Sequence, residues 1–305
     1  MSTGLPGKVP DTRTVTTDWI TTQLPAGAAI AAGPFGINFN TTKYLILPIP
    51  FHPVFTDNMA PFYDTRWYED LDYIIASDYD YGRYALEPGR YQTFLRFYDT
   101  LRASWKLVYE IKPGPDRNGP VLWIYHRERP VPNAPFDSAL MSGLAAVNDS
   151  ERVENFAGRL ALILSFKGKY LKSGQLLRQV LAVDPRNAKA RSELANVYYK
   201  SGQYLEAVPQ IEAGVAVTPA DANLLMLRGN IMLKLDRVDA AESSFVRVLT
   251  LDARQDTAYQ SLMLIYAQRD DRRKLIGLLD RYKNILPPEK AQLVEAEIRK
   301  LKGRL

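Results

Sequence analysis

The chain has 305 residues, 46% of them hydrophobic and 24% charged, which excludes a disordered or fibrous protein and gives room for two ordinary domains. It has no cysteine, which excludes disulfides and thiolate metal sites, and no apolar run approaches the roughly 18–20 residues of a membrane-spanning helix. The net charge of +5 is uneven: residues 151–305 hold 26 basic against 18 acidic side chains, and residues 1–150 hold 13 against 16. The basic half suits acidic partners or an anionic membrane surface, unless its charge is simply the solvated side of helices.

Residues 1–10 read as a leader or juxtamembrane linker. Residues 11–130 read as a small α/β domain. DTRTVTTDWITTQL predicts a helix capped by Asp11, with Val15, Trp19 and Ile20 facing inward. Pro25 and Gly27 end it, and AAIAAG (28–33) and YLILP (44–48) have the length of buried strands. A short helix is expected within 61–70, a strand at 72–77, a tyrosine-rich turn after it, and a helix from Gly89 to Ala103. WKLVYEI (105–111) and PVLWIYHR (120–127) alternate like paired strands joined by the PGPDRNG turn. Helices interleaved with strands imply a layered α/β or α+β domain. Residues 131–153 read as a linker and the start of the next helix.

From residue 154 a ladder recurs every 34 residues: Gly168, Gly202, Asp236, Asp270; Tyr170, Tyr204, Val238; Leu177, Ile211, Phe245, Leu279; Pro185, Pro219, Ala253, Pro287. Each unit divides into two amphipathic helices. In the second, Leu194, Ala195 and Tyr198 cluster on the first helix, Gly202 takes the turn, and Ala207, Ile211 and Val215 mark the second helix. Small residues at Ala195, Ala207 and Gly229 let paired helices approach closely. Period and positions resemble the tetratricopeptide repeat family. Four units are read, 154–187, 188–221, 222–255 and 256–289, with a capping helix and tail over 290–305. The outer units depart from the pattern, with Ser173 and Leu275 where the middle ones have alanine.

That resemblance implies an all-α superhelix of about four helix pairs plus a capping helix, with its inner face lined by the first helix of each pair. The positions that face inward in the family fall here on Lys189, Asn196, Tyr199 and Lys200, then on Asn223, Asn230 and Lys234. Side-chain amides offer donors and an acceptor to an extended peptide, and lysines hold carboxylates as point charges. The face either takes a partner peptide or is filled by the chain's own N-terminal domain.

The N-terminal half carries a second resemblance. The ordered series Asp11-Thr-Arg, Trp19-Ile20, Leu24-Pro25 and Gly27, then Asp72-Tyr-Ile-Ile, Ser77, Tyr81 and Arg83-Tyr84, continues through Phe97-Tyr98, Leu107-Val108, Glu110, Gly119-Pro-Val and Ile124-Tyr125. It resembles the extracytoplasmic C-terminal domain of polyprenyl-phosphate-dependent membrane glycosyltransferases, the superfamily of protein mannosyltransferases and aminoarabinose transferases. The resemblance implies a non-catalytic module on the outer face of a cytoplasmic membrane, periplasmic or extracellular. A membrane-embedded part of the same polypeptide would hold the chemistry. The alternative is a stand-alone tetratricopeptide adaptor, which places the protein in the cytoplasm.

No catalytic residue, metal ligand set, cofactor or nucleic-acid partner is expected, since phosphate-loop, His-Glu-x-x-His and calcium-loop spacings are all absent. His52 and His126 lie far apart. The acidic runs Glu69-Asp70-Leu71-Asp72 and Asp78-Tyr79-Asp80 read as solvated loop carboxylates rather than an acid–base pair. The remaining local candidate is a ligand loop of Tyr79, Tyr81, Arg83 and Tyr84 beyond the strand at 72–77, where α/β sheets bind ligands. Packing of Tyr81 and Tyr84 against the following helix is the competing reading.

Overall fold

A computed structural model describes residues 9–34, 37, 42–50, 57–129 and 131–303, without the side chains of Asp57, Asn58 and Arg83. The architecture is a mixed α/β region with one sheet, followed by an all-α array of tetratricopeptide type. The chain divides into two compact units, Met1–Val183 and Asp184–Leu305. The first helix pair of the ladder therefore belongs to the unit that holds the sheet.

In that unit, α1 (Thr12–Gln23) starts where the Asp11 carboxylate accepts from the Arg13 backbone N–H at 2.8 Å. Thr12, Thr16 and Ile20 form its buried face, while Val15 and Trp19 are half-buried. The threonines tolerate burial because their hydroxyls are used: Thr12 donates to the Pro120 carbonyl and Thr16 to the Thr12 carbonyl, each at 2.8 Å.

The sheet joins β1 (Ala29–Ala32), β2 (Leu45–Pro48), β3 (Tyr73–Ser77), β4 (Lys106–Ile111) and β5 (Leu122–His126) in the order β2-β1-β3-β5-β4. β1 runs parallel to β2 and β3; β5 is antiparallel to β3 and to β4. All four residues of β1 are buried, as befits a strand covered on both faces. Ile30, Ala32, Ile75 and Ile124 meet Ile20 of α1 and Leu24, which caps it, on one of those faces. β4 lies at the edge, largely exposed, and a register shift beside Val108 breaks its regularity.

Three local expectations are corrected. The segment after β3 is not a turn but α2 (Asp78–Ala85), capped by Ser77 and carrying Asp78 and Asp80 in its first turn, where the helix dipole favours negative charge. The helix expected within 61–70 is two 3-10 turns, Asp57–Phe62 and Thr65–Trp67. The stretch read as linker contains α4 (Ser138–Ala145), capped by Asp137, with Leu140 and Leu144 buried. Between α2 and α4 lies α3 (Gln92–Ser104), which buries Phe94, Phe97, Tyr98 and Leu101.

The first helix pair, α5 (Ser150–Phe166) and α6 (Tyr170–Val183), is bound into this unit by rings and charges. Phe156 of α5 meets Phe62, Trp67 and Tyr68 edge-on, with centroids 5.0 to 6.2 Å apart. Lys172 pairs with Asp70 at 2.6 Å, and both side chains are almost wholly buried. Lys169 reaches the second Asp70 oxygen at 3.2 Å and the Val131 carbonyl at 2.8 Å. Lys167 pairs with Asp72 at 2.6 Å, whose other oxygen accepts from the Ala29 N–H at 2.9 Å.

The second unit stacks α7 (Ala188–Lys200), α8 (Tyr204–Val217), α9 (Ala222–Lys234), α10 (Val238–Leu251), α11 (Asp256–Gln268) and α12 (Arg272–Lys283), closed by α13 (Pro288–Lys302). Gly168, Gly202, Asp236 and Asp270 take positive φ of 73, 79, 57 and 50° at the four hairpin turns, that of the first unit included. In each turn the next N–H returns to a carbonyl five residues earlier, as from Gln203 to Tyr198 and from Arg237 to Met232, both at 2.8 Å. Ala195, Ala207, Ile211, Leu225, Phe245 and Tyr259 belong to one continuous core. A Cβ built on Gly229 would stand 2.4 Å from the Phe245 ring, which is the close helix approach expected there. α13 buries Ile298 against Ile276 and Leu279 at the open end.

Candidate partner-binding face

The first helices of the second unit carry the candidate face. On α7, Lys189, Glu193, Asn196 and Lys200 follow at steps of four, three and four, one stripe of an α-helix. Lys189 and Lys200 are exposed, Glu193 and Asn196 half-buried, and Leu194, Ala195 and Val197 fill the core side. α9 repeats the arrangement: Asn223 and Lys234 are exposed at the two ends, with Leu227 and Asn230 half-buried between them. α11 continues it with Thr257, Ser261, Leu264 and Gln268. α7 packs directly on α9 as well as on α8, so the stripes of α7 and α9 are neighbours.

Tyr199 differs from the other expected residues of this face. Its ring is half-buried, packs on the core and lies 5.7 Å from that of Tyr204. Asn223 is in the first turn of α9, its N–H donating to the capping Asp221 carboxylate at 2.9 Å. Asn196 lies three residues after Glu193 on the same stripe. Burial pushes the Glu193 carboxyl above its usual range, against the pull of Lys189, Lys200 and the Asn196 amide. Glu193 escaped the sequence reading because the family positions scanned there leave out the sixth. The stripe itself, stepping 189–193–196–200, was the available signal.

The tyrosines after β3 are not gathered into one loop. Tyr79 is exposed, whereas Tyr81 is half-buried, with the Arg102 guanidinium 4.3 Å over its ring. Tyr84 is buried and stacked on Phe94 at 4.6 Å. The Arg83 side chain lies outside the described residues, as does His52. His126 has its Nδ1 3.0 Å from the Asp72 carbonyl and its ring stacked on Tyr73.

The acidic runs are not wholly solvated either. Asp70 and Asp80 are buried, the first in its lysine pair and the second against Gly33, where a Cβ would stand 2.5 Å from the carboxylate. The Asp78 carboxylate accepts from the Val121 N–H at 3.0 Å. Burial is also the chief reason that the phenols of Tyr63, Tyr68 and Tyr98 are held well above their ordinary range, so they stay protonated at neutral pH. Among the described residues no group of three His, Asp or Glu side chains could hold a metal, and no helix is long and apolar enough to cross a membrane.

Residues 167–231 match the family model of the tetratricopeptide repeat. No curated protein matches the chain in sequence. Among solved structures, the crystal structure of MamA protein is 20% identical over 50% of this chain and 84% of its own, with a TM-score of 0.45. YrrB, described as a TPR protein with an unusual peptide-binding site, is 19% identical over 52% of this chain and 81% of its own, with a TM-score of 0.43. The second TPR domain of human RPAP3, solved with an HSP70 peptide, is 21% identical over 38% of this chain and 97% of its own, with a TM-score of 0.37.

Proposed function

We propose that this chain is a non-catalytic interaction protein whose tetratricopeptide array holds an extended segment of a partner along α7, α9 and α11. The observation that carries the reading is the repeated stripe. Asn196 and Asn230, with Lys200 and Lys234 one turn on, stand 34 residues apart on helices that touch, while the other sides of those helices are core. Amides spaced in this way can bond a peptide backbone, and the lysines favour an acidic segment. The test is to select peptides from a random display library on the full chain and titrate the best binder against Lys200→Glu combined with Lys234→Glu. A drop of about tenfold or more is expected, with an unchanged helical circular-dichroism signal. Equal affinity of variant and parent removes the reading.

A narrower reading is favoured by the ordered residues between Asp11 and Tyr125. It makes the chain the extracytoplasmic module of a membrane-bound polyprenyl-phosphate glycosyltransferase-like protein, with the array recruiting a partner to it. Protease protection of the repeats in cells expressing the whole gene product tests it. Repeats located in the cytosol, or a natural start at Met1 with no membrane segment, leave the stand-alone adaptor instead.

A further inference from the structure

We infer that the sheet-bearing unit binds a small carboxylate with a flat apolar body, in a cleft between α3, α4 and the two 3-10 turns. The cleft has a volume of about 250 Å³, just below the roughly 300 Å³ at which small-molecule sites usually begin, so the ligand must be small. The buried residues Tyr63, Phe97 and Leu140 supply part of its lining. α4 turns Ala139 and Gly143 toward it, and a Cβ added at Gly143 would meet nothing within 4 Å, so these small residues leave the space open.

The charge at the rim selects the ligand. Arg66, on the wall of the 3-10 turns, is already claimed: Asp64 accepts from its Nε at 2.9 Å and its Nη2 at 2.6 Å, and Asp137 accepts from its Nη1. Arg96, on the α3 wall, is exposed and has no ion-pair partner among the described residues. Thr93 lies one turn before it on the same face, and Thr100 one turn after, where its hydroxyl donates to the Arg96 carbonyl at 2.8 Å. An arginine in the lining with no ion-pair partner among the described residues, together with Thr93 and the buried Tyr63, Phe97 and Leu140, fits a carboxylate head with an apolar tail. A neutral ligand would leave that charge unused.

Benzoate is the probe and benzamide its neutral isostere, each titrated into the isotope-labelled full chain while amide resonances are followed. Millimolar benzoate is expected to give saturable shifts centred on Thr93, Arg96, Phe97 and Gly143. Benzamide should bind at least about tenfold more weakly, and Arg96→Gln should weaken benzoate to the same degree. Gly143→Leu, which fills the open space, should abolish the shifts while leaving the spectrum folded. If that variant does not fold, the exposed Arg96→Gln still decides. No saturable shift with benzoate, equal affinity for benzamide, or parental affinity in Arg96→Gln overturns the inference.

Discussion

The first hairpin carries Lys167 and Lys169 at its turn and Lys172 at the start of α6; the same places 34 residues on carry Ser201, Gln203 and Glu206, and in the third hairpin Leu235, Arg237 and Ala240. All three turns have a residue of positive φ and the same closing hydrogen bond. They differ in what surrounds them. The first turn meets the acidic loop before β3 through three lysines, one of them buried, and its unit ends at Val183. The later turns belong to a unit made only of helices. A repeat period therefore specifies the hairpin, and the charges at its turn specify which core the hairpin joins.

The sharpest way to break that comparison is Lys172→Ala. It leaves the buried Asp70 with Lys169 alone, at 3.2 Å, and losing the closer charged hydrogen bond should cost about 2–3 kcal/mol. Hydrogen exchange should show lost protection in β3, α5 and α6 and parental protection in α7 to α12. Uniform loss across both units would show that they do not fold separately. Lys172→Met with Asp70→Leu should recover part of the stability, because an apolar pair of similar volume removes their desolvation cost while Lys169 keeps the Val131 carbonyl.

Glycines separate the hairpins by a smaller margin. Gly229→Ala drives a methyl into the Phe245 ring and should lower the stability of the second unit by about 1–3 kcal/mol. Gly158, inside α5, has open space around its would-be Cβ, so Gly158→Ala should stabilise the first unit by about 0.5–1 kcal/mol. Chemical denaturation followed by exchange in each unit reads both. Effects of the same sign would mean that the two hairpins are packed alike after all.

The ladder made the array legible in the sequence. A residue that must turn with positive φ, a small residue at each helix contact and a large apolar one every 34 residues leave little freedom, and Gly202, Ala207 and Phe245 all stand where the period puts them. The strands were legible as apolar runs of the right length. α2 was not, because Asp-Tyr-Asp-Tyr-Gly has turn composition and becomes a helix through the Ser77 cap and the burial of Tyr84. The burial of Asp70 was hidden for a related reason. Nothing within residues 69–72 announces it; the cue is 100 residues away, in the unusual lysines of the first turn. On the binding face, Asn196 and Asn230 were visible as equivalents, while Glu193 needed the helix stripe rather than the family positions.

Glu193 gives the smallest effect and joins stability to the proposed face. Its carboxyl is held above the ordinary value of 4.5 by burial, so the folded chain retains that proton to a higher pH than the unfolded chain does. The stability this supplies is present in full below the ordinary value and is lost as pH rises through the folded one. Lys189 and Lys200 lessen the loss, since they favour the charged form. Glu193→Gln removes the titration and should match the parent in acid while exceeding it slightly at neutral pH, measured by urea midpoints at both. It also removes the acidic side chain from the stripe. An acidic peptide should therefore bind the variant more tightly than the parent at neutral pH, with the difference shrinking in acid. Tighter folding without tighter binding would place Glu193 in the packing of α7 and away from the surface that meets a partner.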